Sequence, residues 1–159
     1  MPDAPAPALK ARLRSDLTEA IRSRNELHAA TLRMALTAIS TKEVAGTVAR
    51  ELTDAEVQTV LGREAKKRRE AAAAFDGADR PEKAERERAE LVVLQTYLPE
   101  QLSDDDLVAL VAQEVAAASA AGAAGMQAMG RVMKAVTPQV AGRAEGGRVA
   151  AEVRRQLAG

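Results

Sequence analysis

Apolar residues return every three or four positions along most of this chain, and no segment sustains the two-residue alternation of a strand. Leu9, Leu13, Leu17 and Ile21 predict a first helix ending near Asn25. A second is expected from about Glu26 to Val44, with Leu27, Met34, Ala38 and Ile39 among its apolar positions and Gly46 closing it. In ELTDAEV, Thr53 is an N-cap and Glu56, three residues on, completes a capping box. Leu52 and Val57 occupy the places of a hydrophobic staple. The third helix continues through REAKKRREAAAAF to about Phe75. Pro81 opens a fourth as its first helical residue. That helix turns apolar at Leu91, Val92, Val93, Leu94 and Leu98, and Pro99 stops it.

QLSDDDL repeats the pattern of ELTDAEV: Ser103 is the cap, Asp106 stands at the third helical position, and Leu102 with Leu107 suits the staple. The fifth helix follows on Leu107, Leu110, Val111, Val115 and Ala118. After the link AAGAAG, Met126, Met129, Met133 and Val136 mark a sixth helix expected to end before Pro138. A short seventh, starting near Arg148, carries Val149, Val153 and Leu157. The pattern is that of an all-α protein. A disordered proline-rich arm over 1–8 precedes a four-helix domain over 9–99 and a three-helix tail domain over 100–159. Tyr97, Leu98 and Pro99 form the expected structural hinge, with the tyrosine ring packed there and its hydroxyl near solvent or a backbone carbonyl.

Composition sharpens this picture. Aromatic residues make up 1% of the chain, Phe75 and Tyr97, so the core must be aliphatic and rich in alanine, which suits closely packed helices. Without cysteine there is no disulfide framework and no thiolate metal site. No 18-residue apolar run occurs, and the first residues lack the pattern of a secretory signal, so a cytoplasmic protein away from the membrane is expected. Charge balances at 23 basic and 23 acidic residues, but unevenly along the chain. Residues 121–159 carry Arg131, Lys134, Arg143, Arg148, Arg154 and Arg155 against Glu145 and Glu152, enough to face an anion.

Few residues invite chemistry. Asp104, Asp105 and Asp106 suit the positive end of a helix dipole; successive positions diverge by about 100°, so they do not converge on a metal. His28, the only histidine, has no nucleophile at a telling spacing. The methionine stripe reads as core packing. REAKKRRE (63–70) is either a solvated helix face with Glu64 and Arg68 as an i, i+4 pair, or a phosphate-contacting stripe using Arg63, Lys66 and Lys67. In GRVMKAVTPQVAGRAEGGRV (130–149), Arg131 and Lys134 share a helix face. Gly142, Gly146 and Gly147 bracket Arg143 before the last helix, with Arg148 beside them: a phosphate cradle or simple loop geometry.

YLPEQLSDDDL, MGRVMKAVTPQV and GRAEGGRV, in that order and spacing and preceded by REAKKRRE through YLP, resemble the YqeY family over nearly the whole chain after the arm. That family is similar to the C-terminal part of the B subunit of the tRNA-dependent amidotransferase, which converts misacylated Glu-tRNA(Gln) or Asp-tRNA(Asn) to the amide. The resemblance implies an all-helical, non-catalytic module that binds tRNA or associates with the amidotransferase. The glutaminase and kinase-like sites lie elsewhere in that complex. A label of carbon–nitrogen ligase with glutamine as amide donor would be inherited from it. No catalytic residue, metal or cofactor is expected. The expected RNA contacts are Arg131, Lys134, Gly142, Arg143, Gly146 and Arg148, with Arg63, Lys66 and Lys67 adding to them. This copy has Glu145 where the family usually shows aspartate, and Ala141 and Gly147 where basic residues are common. The alternative is a protein-interaction module without RNA binding, docking on an amidotransferase subunit or other partner through the charged stretch from Pro81 to Glu90.

Overall fold

The structure is a computed structural model describing residues 8–159, and among them every regular element is helical. All of the expected arm but Ala8 lies outside the described residues. The α-helices are α1 (Leu9–Arg22), α2 (Glu26–Glu43), α3 (Asp54–Gly77), α4 (Pro81–Gln95), α5 (Asp104–Ala120), α6 (Met129–Val140) and α7 (Gly146–Ala158); a 3-10 turn, Gly125–Ala128, leads into α6. The chain falls into two compact units, one ending at Leu98 and the other spanning Pro99–Gly159. Each unit has its own core. No single helix among the described residues is long and apolar enough to cross a membrane.

The starts of α3 and α5 form as their sequences dictate. The Thr53 hydroxyl accepts from Glu56 N at 3.3 Å while Glu56 Oε2 accepts from Thr53 N at 2.9 Å, closing the capping box, and Leu52 and Val57 are both buried. Ser103 Oγ accepts from Asp106 N at 3.1 Å, with Leu102 and Leu107 buried on either side. Arg50 grips Glu56 with two hydrogen bonds, at 2.6 and 2.9 Å. These bonds, with that from Thr53 N, hold the Glu56 carboxyl at about 2 against an ordinary 4.5.

Three expectations about burial change. Leu13 is fully buried but Ile21 is 51% exposed. Each residue turns about 100°, so Ile21 stands about 80° round from Leu13, whereas Ala20 returns to within about 20° and takes the core position. Met34 is likewise exposed, with Leu32, Ala35 and Ile39 forming the buried line of α2. In α6 the buried line is Val132, Val136 and Val140; Met129 and Met133 only flank it and Met126 is exposed.

Nor does α6 end before Pro138, which lies inside its last turn. There a proline removes one hydrogen bond, to the Lys134 carbonyl, and the helix continues far enough to bury Val140. The Gln139 amide also donates to the Ala135 carbonyl at 3.0 Å, adding a tie across that turn. At the seventh helix, Gly146 rather than Arg148 is the first helical residue.

The largest departure lies in REAKKRRE. Glu64 and Arg68 do pair, at 2.6 Å, but away from solvent: Arg68 is 4% exposed and Glu64 8%. Arg68 Nε lies 3.4 Å from buried Glu90 on α4, without hydrogen-bond geometry, and Nη2 donates to Met34 Sδ on α2 at 3.5 Å. Lys67 and Arg86 reach in from the surface to Glu64 and Glu90. Burial pushes the Glu64 carboxyl up, but its bonds to Lys67 and Arg68 outweigh this and hold it below the usual range. One guanidinium thus ties three helices together.

Tyr97 also departs from expectation. Its ring is buried in the first unit's core, and its hydroxyl donates to Asp16 Oδ2 at 2.5 Å rather than to solvent or a carbonyl. The Arg12 guanidinium lies 4.8 Å from the ring centroid. Burial, reinforced by Asp16, pushes the phenol well above its ordinary range.

Two outcomes follow for this architecture. Arg68→Met removes the buried cation shared by Glu64 and Glu90, leaving them only Lys67 and Arg86 from the surface, and should cost about 3 kcal/mol in urea unfolding. Replacing Glu64, Arg68 and Glu90 together by Leu, Met and Leu should recover most of it. For Glu56, a lowered folded-state value means its stabilisation is complete above about 4.5 and lost as pH falls towards 2. The stability of Glu56→Gln, followed by far-ultraviolet circular dichroism, should therefore decline less steeply across that window than that of the wild type.

Candidate nucleic-acid interface

Two stretches about forty residues apart, singled out in the sequence for different reasons, meet in the second unit. Leu102 N donates to the Arg143 carbonyl at 2.7 Å, and the Gln101 amide donates to the Gly142 carbonyl at 2.9 Å. Arg143 Nε in turn reaches the Glu100 carbonyl at 3.4 Å. Gly142 has a φ of +73°, and a side chain there would also stand 3.7 Å from the Pro99 ring. The loop between α6 and α7 therefore clasps the segment that leads into α5.

Arg148 completes the clasp. It donates to the Leu102 carbonyl at 3.1 Å and to Asp104 Oδ1 at 2.6 Å. Asp104 is thus both a first-turn acid on α5 and the anchor of a distant arginine. Asp105 and Asp106 are exposed alongside it, and among the described residues no three acidic, histidine or cysteine side chains form a metal-sized group. The guanidinium expected beside a phosphate cradle is already engaged by a carboxylate. Gly146 and Gly147 are exposed in the first turn of α7, which has no side-chain cap.

Arg131 and Lys134 differ from Arg148. Both are exposed on α6, and among the described residues neither side chain makes a hydrogen bond or an ion pair. Arg154 on α7 is equally unengaged, while its neighbour Arg155 is held by Glu152 at 2.5 Å. Bonds from Arg155 and Gln156 keep the Glu152 carboxyl at about 2. Arg154 was not among the expected contacts, yet its freedom is legible: three and four residues from it along the helix there is no acid. The same holds for Arg131 and Lys134. In the first unit, Arg63 is exposed without a partner among the described residues, Lys67 is bound to Glu64 at 2.9 Å, and Lys66 faces Glu70 at 3.9 Å. His28 is exposed near the start of α2, where its backbone N–H caps onto Asn25 Oδ1.

This arrangement defines a small all-helical module with a ring-poor core and a tail unit clasped by its own loop. The chain belongs to the YqeY family: the model described as Yqey-like protein matches residues 10–157, and the domain is of the GatB/YqeY type. It is also similar to an uncharacterized protein of Schizosaccharomyces pombe, with 34% identity over 99 residues that cover 62% of this chain and 78% of that one.

Gly142→Ala forces an L side chain into the left-handed region and should lower thermal stability by about 1–2 kcal/mol. Gly147→Ala, in the first turn of α7 with open space around it, should be neutral or slightly stabilising in the same melting experiment.

Proposed function

We propose that this protein is a non-catalytic RNA-binding module that works with tRNA, alone or beside a tRNA-dependent amidotransferase. Its four-helix and three-helix parts act as separate domains, and the tail supplies the contacts. Arg131 and Lys134, with Arg143 on the adjoining loop, meet the phosphate backbone, and Gly142 and Gly146 keep side chains out of the way. Arg148 acts through the loop it holds. On the first domain, Arg63 with Lys66 and Lys67 is a further candidate patch, counted apart from the tail's three contacts.

The observation that supports this reading is the free pair Arg131 and Lys134, exposed on one helix without a carboxylate within reach among the described residues. Unpaired cations are the ones able to release counterions from a nucleic acid, because an arginine already bound to a carboxylate must first give it up. The remaining support is the family itself.

Fluorescence anisotropy with total tRNA tests it. For three phosphate contacts, affinity should fall roughly 40-fold between 50 and 200 mM salt. Arg131→Glu combined with Lys134→Glu should abolish binding at the lower salt while leaving the circular dichroism unchanged. Absence of binding by the wild type at low salt would sink the proposal.

A further inference from the structure

Helix α2 buries one line of side chains in the first unit's core, and Leu36 on the next face packs against the edge of that core, as Leu17 of α1 does. Leu32, Ala35 and Ile39 point into that core. The next face, with Leu36 and Val44 set among Arg33, Thr37, Ser40 and Thr41, lines a widely open groove of about 590 Å³ whose other wall includes Leu17 of α1. Leu17 and Leu36 are half-buried, while Val44 at the far end is 64% exposed. Ile21, one turn beyond Leu17, adds a further exposed apolar side chain. From Arg33 to Val44 this face spans twelve residues, about 16 Å along the helix.

Charge along this groove is one-sided. Of the acids on α1 and α2, Asp16 is held by the Tyr97 hydroxyl, Glu19 by Arg22 at 3.1 Å and Glu43 by Lys10 at 2.7 Å, while Glu26 is in the first turn of α2, before the groove-lining residues 33–44. The side chain of Arg33, in the groove wall, has no partner among the described residues. Arg14, one turn before Leu17, makes no hydrogen bond or ion pair with its side chain there; its field merely helps keep Glu43 ionised. The unanswered charge beside the apolar floor is therefore positive.

We infer that the groove between α1 and α2 docks an acidic amphipathic helix from a partner protein. About three turns of helix match its length, with aliphatic residues set on Leu17, Leu36 and Val44 and a carboxylate meeting Arg33. A phosphate backbone is a poorer fit, because it needs a row of cations and the groove offers leucine, valine and hydroxyls. This is a different surface from the charged stretch of α4, where Arg88 is engaged by Asp76 and Glu85 and Arg86 by Glu90. It does not rest on RNA binding.

The experiment is a phage-displayed library of random 16-residue peptides panned on the full-length protein and counter-selected on Leu36→Asp. Enriched peptides should carry aliphatic residues at three- and four-residue spacing with interspersed Asp or Glu. As synthetic peptides they should bind the wild type at least tenfold tighter than Leu36→Asp, Arg33→Glu or Ser40→Trp. Ser40 is exposed and outside the core, so its replacement fills the groove even where Leu36→Asp impairs folding. Affinity for tRNA should be the same in Ser40→Trp and wild type, which separates this surface from the RNA contacts. Three results would overturn the inference: no peptide sensitive to the groove variants, groove-dependent peptides that are basic, or self-association in ultracentrifugation that Ser40→Trp abolishes, since a second copy would then be the occupant.

Discussion

Arg68 lies at the middle of α3 with its guanidinium almost wholly out of water, and the packing of the first unit follows from how its neighbours answer it. Glu64 answers from one turn earlier, Glu90 from α4, and the Met34 thioether from α2. A core of alanine, valine and leucine has few large projections, and helices faced with small side chains can slide over one another at little cost. A buried cation resists such a slip, because moving α4 by one turn would carry Glu90 away from Arg68 and leave a buried carboxylate without its buried partner, in a medium that penalises unpaired charge. In a chain with one tyrosine and one phenylalanine, polar ties of this kind take over the job of setting register.

The second unit uses the same device nearer the surface. Arg148 reaches from the first turn of α7 to Asp104 at the start of α5, while the intervening loop exchanges hydrogen bonds with residues 100–102. Motifs that look like separate chemical features, a run of aspartates and a glycine-rich basic loop, are partners in one clasp. An anion drawing on Arg148 would compete with Asp104, which makes the exposed and unpaired Arg131 and Lys134 the more available cations.

What could be read from the sequence was whatever is decided within a few residues. The caps at Thr53 and Ser103, the staples around them and proline at the start of α4 are local, and their geometry is as the sequence indicates. Ile21 shows where pattern reading loses accuracy: a strict four-residue repeat drifts about 40° per step, so its last member leaves the core. Pro138 shows a strong local signal overridden by tertiary burial of Val140. Partners distant in sequence were illegible. Nothing near Arg68 announces Glu90, and nothing near Arg148 announces Asp104, so both arginines read as surface charges. Arg131, Lys134 and Arg154 were legible as free cations, since what matters for them is the absence of a carboxylate one turn away.

The placement of the two aromatic residues has a spectroscopic consequence. Phe75 and Tyr97 both belong to the first unit, and there is no tryptophan. Every near-ultraviolet signal of this protein therefore comes from one half of it, and residues 99–159 are silent at those wavelengths. The peptide backbone absorbs in both halves alike. Two unfolding curves of one sample, one from the tyrosine band and one from the helix band, thus view one unit and the whole chain separately, and the gap between them measures how far the tail melts on its own.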